Sequence, residues 1–256
     1  MANDTELADV ITRAVEMLAR FTVPLFINHD RPVHVGTGFF VTVGSDCFLV
    51  SAAHVLDVGA DSTMYFYIAP HETRRLDGRM IRRKAQHRAS DVIDVGVVRL
   101  GAAARPPFPA VDKYAMDISY LKPNYRPREG KEYVIVGYPN RKVRLRVHEK
   151  NVQVTPYGYK SPSVAEQDYG KHGVTAETHV LLPLDLEVGF DMTGRHVNIP
   201  KPQGMSGAPV VVLYGDAAED SRVFPVVAVG IEYRRAEKIL LATDVGFVLE
   251  AIHAVA

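Results

Sequence analysis

The sequence predicts an all-β protein, a sandwich or barrel, with a helix at each end. Three observations predict it. Short apolar runs rich in Val, Ile, Phe and Tyr recur along the chain, separated by Gly, Pro and Asp turns. No strand–helix alternation is present, which argues against a doubly wound sheet. Helical periodicity is confined to the two ends.

Residues 4–20 read as an amphipathic helix. Leu7, Val10, Ile11, Ala14, Met17 and Leu18 recur at helical spacing, and Asp4 and Thr5 supply capping oxygens. A packing helix on the domain surface is expected, with a docking or regulatory element as the alternative. Strands follow over Thr22–Ile27, Val33–Val43 and Phe48–Ala52, where Gly36 and Gly38 mark bends or close approaches. Met64–Ile68, Val92–Leu100, Tyr133–Val136, Val143–Val154 and Thr178–Leu186 continue the pattern. Ala208–Leu213, Val223–Tyr233 and Ile239–Ala242 complete it, and Val245–Val255 is a second short helix. Residues 101–130 hold Pro106, Pro107, Pro109, Pro123 and Pro127 and read as a long connection. Residues 156–176, rich in Gly, Ser, Lys and Tyr, read as a mobile surface loop.

With 256 residues, 47% of them apolar, the chain can bury a sizeable core. Lys plus Arg equals Asp plus Glu at 30 each, so there is no general pull toward nucleic acid or an anionic membrane. Cys47 is the single cysteine, which excludes an intramolecular disulfide and fits a reducing compartment. Acidic residues occupy the N-terminus where a signal peptide carries positive charge. No stretch reaches the roughly 20 apolar residues of a membrane span. A cytoplasmic protein is expected.

Three local patterns carry chemistry. Val50-Ser51-Ala52-Ala53-His54-Val55 runs a strand into small residues and then a histidine. Asp94-Val95-Gly96-Val97-Val98-Arg99-Leu100 opens an apolar strand with an aspartate. Gly204-Met205-Ser206-Gly207-Ala208-Pro209-Val210 sets a serine on a glycine-flanked turn before another such strand. A serine hydroxyl needs a nearby imidazole to take its proton. A buried carboxylate fixes the imidazole tautomer and stabilises the imidazolium. Gly204 lets its own N–H and that of Ser206 point at one spot, where an oxyanion would develop. Asp91 competes with Asp94, but the apolar strand starts directly after Asp94.

These residues, in the order His, Asp, Ser, resemble the trypsin/chymotrypsin superfamily of serine peptidases. Subtilisin-type and α/β-hydrolase chains order the triad differently. Gly137-Tyr138-Pro139 resembles the start of that family's second barrel, and the closing helix its C-terminal helix. The resemblance covers about residues 22–255. It implies a double six-stranded antiparallel β-barrel forming a single peptidase domain. Residues 1–21 would be its N-terminal helix, about 22–115 the first barrel with His54 and Asp94, and about 130–256 the second with Ser206. It implies a serine endopeptidase acting on polypeptide through an acyl-enzyme. The alternatives are a catalytically silent interaction module on the same fold, or an esterase using the same triad.

Trypsin-type relatives place an aspartate before the nucleophile, where it pairs with a new N-terminus; here Met205 stands there. The pattern looks more like the bacterial branches, the high-temperature-requirement and glutamyl endopeptidases, with no PDZ-like domain read after the last helix. Activity is then set by something other than N-terminal insertion, a regulatory protein partner being one route. An oxyanion turn disordered or inverted without ligand is expected. The resemblance puts the primary pocket near Pro200 and the strand Ile231–Arg234. Arg234 there would favour an acidic residue, Glu232 the opposite, with Tyr233 between them.

No His/Cys cluster with metal-ligand spacing and no phosphate-cradling glycine loop occurs, so neither metal nor cofactor is expected. His34 and His54 could meet in space, but a zinc site there is not expected. Arg74, Arg75, Arg79, Arg82, Arg83, Lys84 and Arg88 form a basic stretch, and Arg144, Arg146 and His148 alternate along a strand. Solvated surface is the expectation for both. A patch for an acidic partner is the alternative, with no nucleic acid or membrane expected.

Overall fold

A computed structural model describes residues 4–28, 32–69, 72–82, 93–108, 114–126, 128–146, 151–186, 200–213 and 224–254. The chain opens with α1 (Asp4–Phe21), then β1 (Thr22–Ile27), β2 (Val33–Val43) and β3 (Asp46–Ala52). A short helix α2 (Ala53–Asp61) precedes β4 (Met64–Ala69), β5 (Glu72–Arg75), β6 (Gly78–Arg82) and β7 (Val95–Leu100). Next come β8 (Met116–Asp117), β9 (Glu132–Gly137), β10 (Val143–Arg146), β11 (Asn151–Val154) and β12 (Tyr157–Pro162). The last elements are β13 (His179–Pro183), β14 (Pro209–Val212), β15 (Val226–Arg234), β16 (Ile239–Asp244) and α3 (Gly246–His253).

The first sheet runs β5-β4-β1-β2-β3-β7-β6, with β8 added parallel to β2. Its two edge strands are consecutive in the chain, joined only by Leu76 and Asp77, so the sheet must curl back on itself. Val23, Leu25, Phe40, Leu49, Phe66 and Val98 fill its interior. The second sheet runs β12-β9-β14-β15-β16-β13. Its edges also approach: Ser161 Oγ donates to Pro183 O at 2.5 Å and Val164 N to Leu181 O at 2.9 Å. Ile135, Val210, Ala228, Leu240 and Leu182 pack inside it. The arrangement is a chymotrypsin-like double barrel, each half a curled antiparallel sheet.

A third cluster joins the halves. It takes Phe39, Phe48 and Val97 from the first sheet, Val134, Val211 and Val229 from the second, and Val248 and Ile252 from α3. Ala14 and Leu18 of α1 are fully buried in it. Burying a leucine such as Leu18 contributes roughly 1.5–3 kcal/mol of transfer free energy. α1 is therefore a packing helix, as its periodicity predicts. A Cβ on Gly158 would come within 2.6 Å of Val15, so the glycine is what lets α1 lie on β12.

Four readings of the sequence change. Helix is not confined to the ends, because α2 starts at the residue before His54. Its signal is weak: nine residues, a glycine within it and no side-chain cap at Ala52. Val143–Val154 is a two-stranded hairpin, β10 and β11, rather than one run. Residues 156–176 are not a loop: they hold β12 and a 3-10 segment at Glu166–His172 with Tyr169 buried. The basic stretch is partly strand: Arg74 of β5 pairs with Glu72, and Arg79 lies in β6. Residues 83–88, Asp91 and His148, and the Arg82 and Arg146 side chains, lie outside what is described.

Candidate active site

β3 delivers His54. The strand pairs antiparallel with β7, Ala52 opposite Val95, so Asp94 falls beside the first turn of α2. Ala53 N donates to Asp94 O at 3.1 Å and His54 N to Asp94 Oδ1 at 2.8 Å. His54 Nδ1 contacts Asp94 Oδ2, donating to a carboxylate that can only accept. Proton and ring orientation are thereby fixed, and Nε2 is left facing outward as an acceptor. The Asp94 side chain is 9% exposed and that of His54 42% exposed, so the pair is sheltered on one side and open on the other.

Ser206 sits between Gly204 at φ 95° and Gly207 at φ 91°, both in the left-handed region. A Cβ at Gly207 would lie 2.0 Å from Thr37 O and 2.2 Å from Ser51 Oγ. Only glycine lets this turn press against β2 and the end of β3, just before His54. Thr37 N donates to Ser206 O at 2.9 Å, tying the turn to the first barrel. Thr37 Oγ1 donates to Gly204 O at 2.8 Å and accepts from Tyr138 N at 3.1 Å. The Ser206 hydroxyl rests on Ile231 O at 3.1 Å and not on His54.

The turn before the serine is formed. Asn140 N donates to Gln203 O at 2.7 Å, and Met205 N to Pro202 O at 2.9 Å. In a trans peptide the N–H lies opposite the carbonyl, so the bond to Gln203 O directs the Gly204 N–H away from Asn140. The turn expected to be disordered or inverted is held by these two bonds. Met205, 2% exposed, is spent on packing inside the second barrel.

A second histidine supports this turn. His34 Nδ1 bonds Asn140 Oδ1 at 2.7 Å, and a Cβ on Gly204 would come within 2.6 Å of His34 Cε1. Burial lowers the His34 pKa from its usual value, against the opposing pull of Asn140. His34 thus meets Asn140 rather than His54. Sequence reasoning assigned neither His34 nor Asn140 a part in the turn, and 106 residues separate them with no motif linking the two.

The residues proposed for the pocket are less available. Pro200 O accepts from Tyr159 OH at 2.6 Å, and Tyr233 OH donates to Leu184 O at 3.1 Å. Arg234 Nε pairs with Glu232 Oε2 at 3.1 Å and its Nη1 donates to His172 O at 2.7 Å. The opposing charges of Glu232 and Arg234 offset each other. Among the described residues, two strand edges near Ser206 lack a partner strand. β15 pairs with β14 only as far as Val229, and no described strand pairs with the other side of Ile231–Arg234. β2 pairs with β3 only from Phe39, and no described strand takes the second side of residues 33–36.

Cys47 is 2% exposed, and burial pushes its thiol up to about 11, as expected of a packing residue rather than a nucleophile. Among the described residues no helix is long and apolar enough to cross a membrane. The family model described as a trypsin-like peptidase domain matches residues 36–217, a span holding His54, Asp94 and Ser206. No curated protein matches the chain.

Proposed function

Because the chain belongs to the trypsin-like peptidase domain family, we propose that it is a serine endopeptidase acting on extended polypeptide. The observation that carries the reading is His54, held by Asp94 through both backbone and ring, together with a serine on a double-glycine turn that presses against Ser51 and Ala52, just before His54. Ser206 Oγ leaves Ile231 O by rotation about χ1 and attacks the scissile carbonyl as His54 Nε2 takes its proton. Asp94 stabilises the imidazolium. The N–H groups of Gly204 and Ser206 hold the oxyanion. His54 then protonates the leaving amine, and water, deprotonated by His54, releases the acyl group. The two edges near Ser206 without a described partner strand favour a polypeptide over a simple ester, since strand addition needs a substrate backbone. We place the protein in the cytoplasm on its single, buried cysteine.

The test compares internally quenched peptides with short-chain esters on wild type and Ser206→Ala. Peptide turnover that vanishes in Ser206→Ala is expected. Ester turnover with no peptide turnover would replace endopeptidase by esterase.

A further inference from the structure

Beside the oxyanion turn lies a basic groove that the reaction above does not use. Arg141, Lys142 and Arg144, with Gln153 and Thr155, line a cavity of about 280 Å³ on the β10–β11 hairpin. Arg141, Lys142 and Arg144 are exposed, and none makes an ion pair with a described residue. Lys142 Nζ lies 5.6 Å from the centre of the Tyr157 ring. Three cations facing one hollow repel one another in the free protein. A carboxylate entering the hollow relieves that repulsion, and the guanidinium forks can bind it through paired N–H bonds.

The groove's place in the fold identifies its occupant. Arg141 directly follows Asn140, whose N–H holds the Gln203 carbonyl behind the oxyanion turn. Val143 and Val154 pack the hairpin on Phe26 and Tyr67 of the first barrel, and Phe26 pairs with His34 at the start of β2. A substrate whose acyl side adds to Ile231–Arg234 would cross Ser206 toward Gln203 and Asn140, the neighbours of Arg141. Resting on the peptidase reading, we propose that Arg141, Lys142 and Arg144 form a subsite for acidic residues on the leaving-group side of the scissile bond. The enzyme so selects polypeptides with Asp or Glu a few residues beyond the cut. The offset charges of Glu232 and Arg234 give the acyl side no such sign, so charge selection is carried by the leaving side.

The experiment uses internally quenched peptides identical up to the scissile bond, carrying Asp/Glu, Asn/Gln or Lys after it. The acidic set is expected to exceed the neutral set in kcat/KM by about two- to fivefold at low salt, the scale of one exposed ion pair. The advantage shrinks as salt rises and is lost in R141A/R144A. Equal kcat/KM for acidic and neutral peptides, or a preference that survives the double variant, overturns the subsite. Binding of the acidic product peptide to Ser206→Ala tests the groove without turnover. If no peptide is cleaved but this binding occurs and is lost in R141A/R144A, the peptidase reading fails and the groove stands. If an oligonucleotide binds there and the acidic peptide does not, the proposal is wrong.

Discussion

Asp94 bonds His54 at two points, so its charge and its geometry can be separated by experiment. Asp94→Asn keeps the shape but lets Nδ1 become an acceptor. Its kcat is expected to fall by about 10⁴-fold with the fold intact, as when a triad carboxylate is neutralised elsewhere. A loss of tenfold or less, measured by steady-state kinetics beside circular dichroism, would mean the contact is structural. Gly204→Ala is expected to fail for another reason. The new methyl, on a residue at φ 95°, would sit 2.4 Å from Asn140 Oδ1 and 2.7 Å from Tyr138 O. Rotating the peptide to escape removes one oxyanion donor, for a kcat loss of about 10²–10³-fold. Near-normal turnover in this variant would mean the Gly204 N–H is not used. His54, Asp94 and Ser206 stood out in the sequence because each opens or closes a strand of distinctive composition. Asn140, His34 and Thr37 carried no such mark, since their part is to bond backbone and ring atoms brought close only by folding.

Strands with steady apolar runs, such as β7, β9 and β15, were legible to within a few residues. Elements stabilised from outside were not. α2 lacks a capping side chain and holds because Val55 and Leu56 bury against the first barrel. β12 hides in a Gly- and Lys-rich stretch because its strand character comes from pairing with β9 and from burial of Tyr159. α1 was legible in its periodicity but not in its target. Leu18 is fully buried where both sheets meet. Leu18→Ala should cost about 2–5 kcal/mol, read as a lower midpoint in denaturant. A cost under about 0.5 kcal/mol, the range of surface substitutions, would mean that α1 contributes little to the core.

At the level of the whole molecule, one buried ion pair secures the connection between barrels. Arg128 and Asp244 side chains are 0% and 2% exposed, with Nη2 2.8 Å from Oδ2. Arg128 also donates to Tyr125 O at 3.0 Å and Ala176 O at 3.2 Å, and Asp244 accepts from Gly246 N at 2.8 Å. This network ties the connector to β16, the 3-10 segment's loop and α3. Arg128→Met leaves Asp244 buried without its cation, for an expected loss of about 3–5 kcal/mol. A melting temperature within about 2 °C of wild type would show that the pair is dispensable. No sequence pattern marked Arg128, because burial of an arginine is decided by chain segments 48 and 116 residues away.

The central claim is that the described geometry makes Ser206 a nucleophile. Intact-mass measurement after reaction with a fluorophosphonate tests it most directly, because labelling requires serine, base and oxyanion site together but no knowledge of substrate. One adduct is expected, mapped to Ser206 by peptide sequencing, absent in Ser206→Ala and strongly slowed in His54→Ala. An unlabelled, folded wild-type protein, or a label that persists in Ser206→Ala, would contradict it.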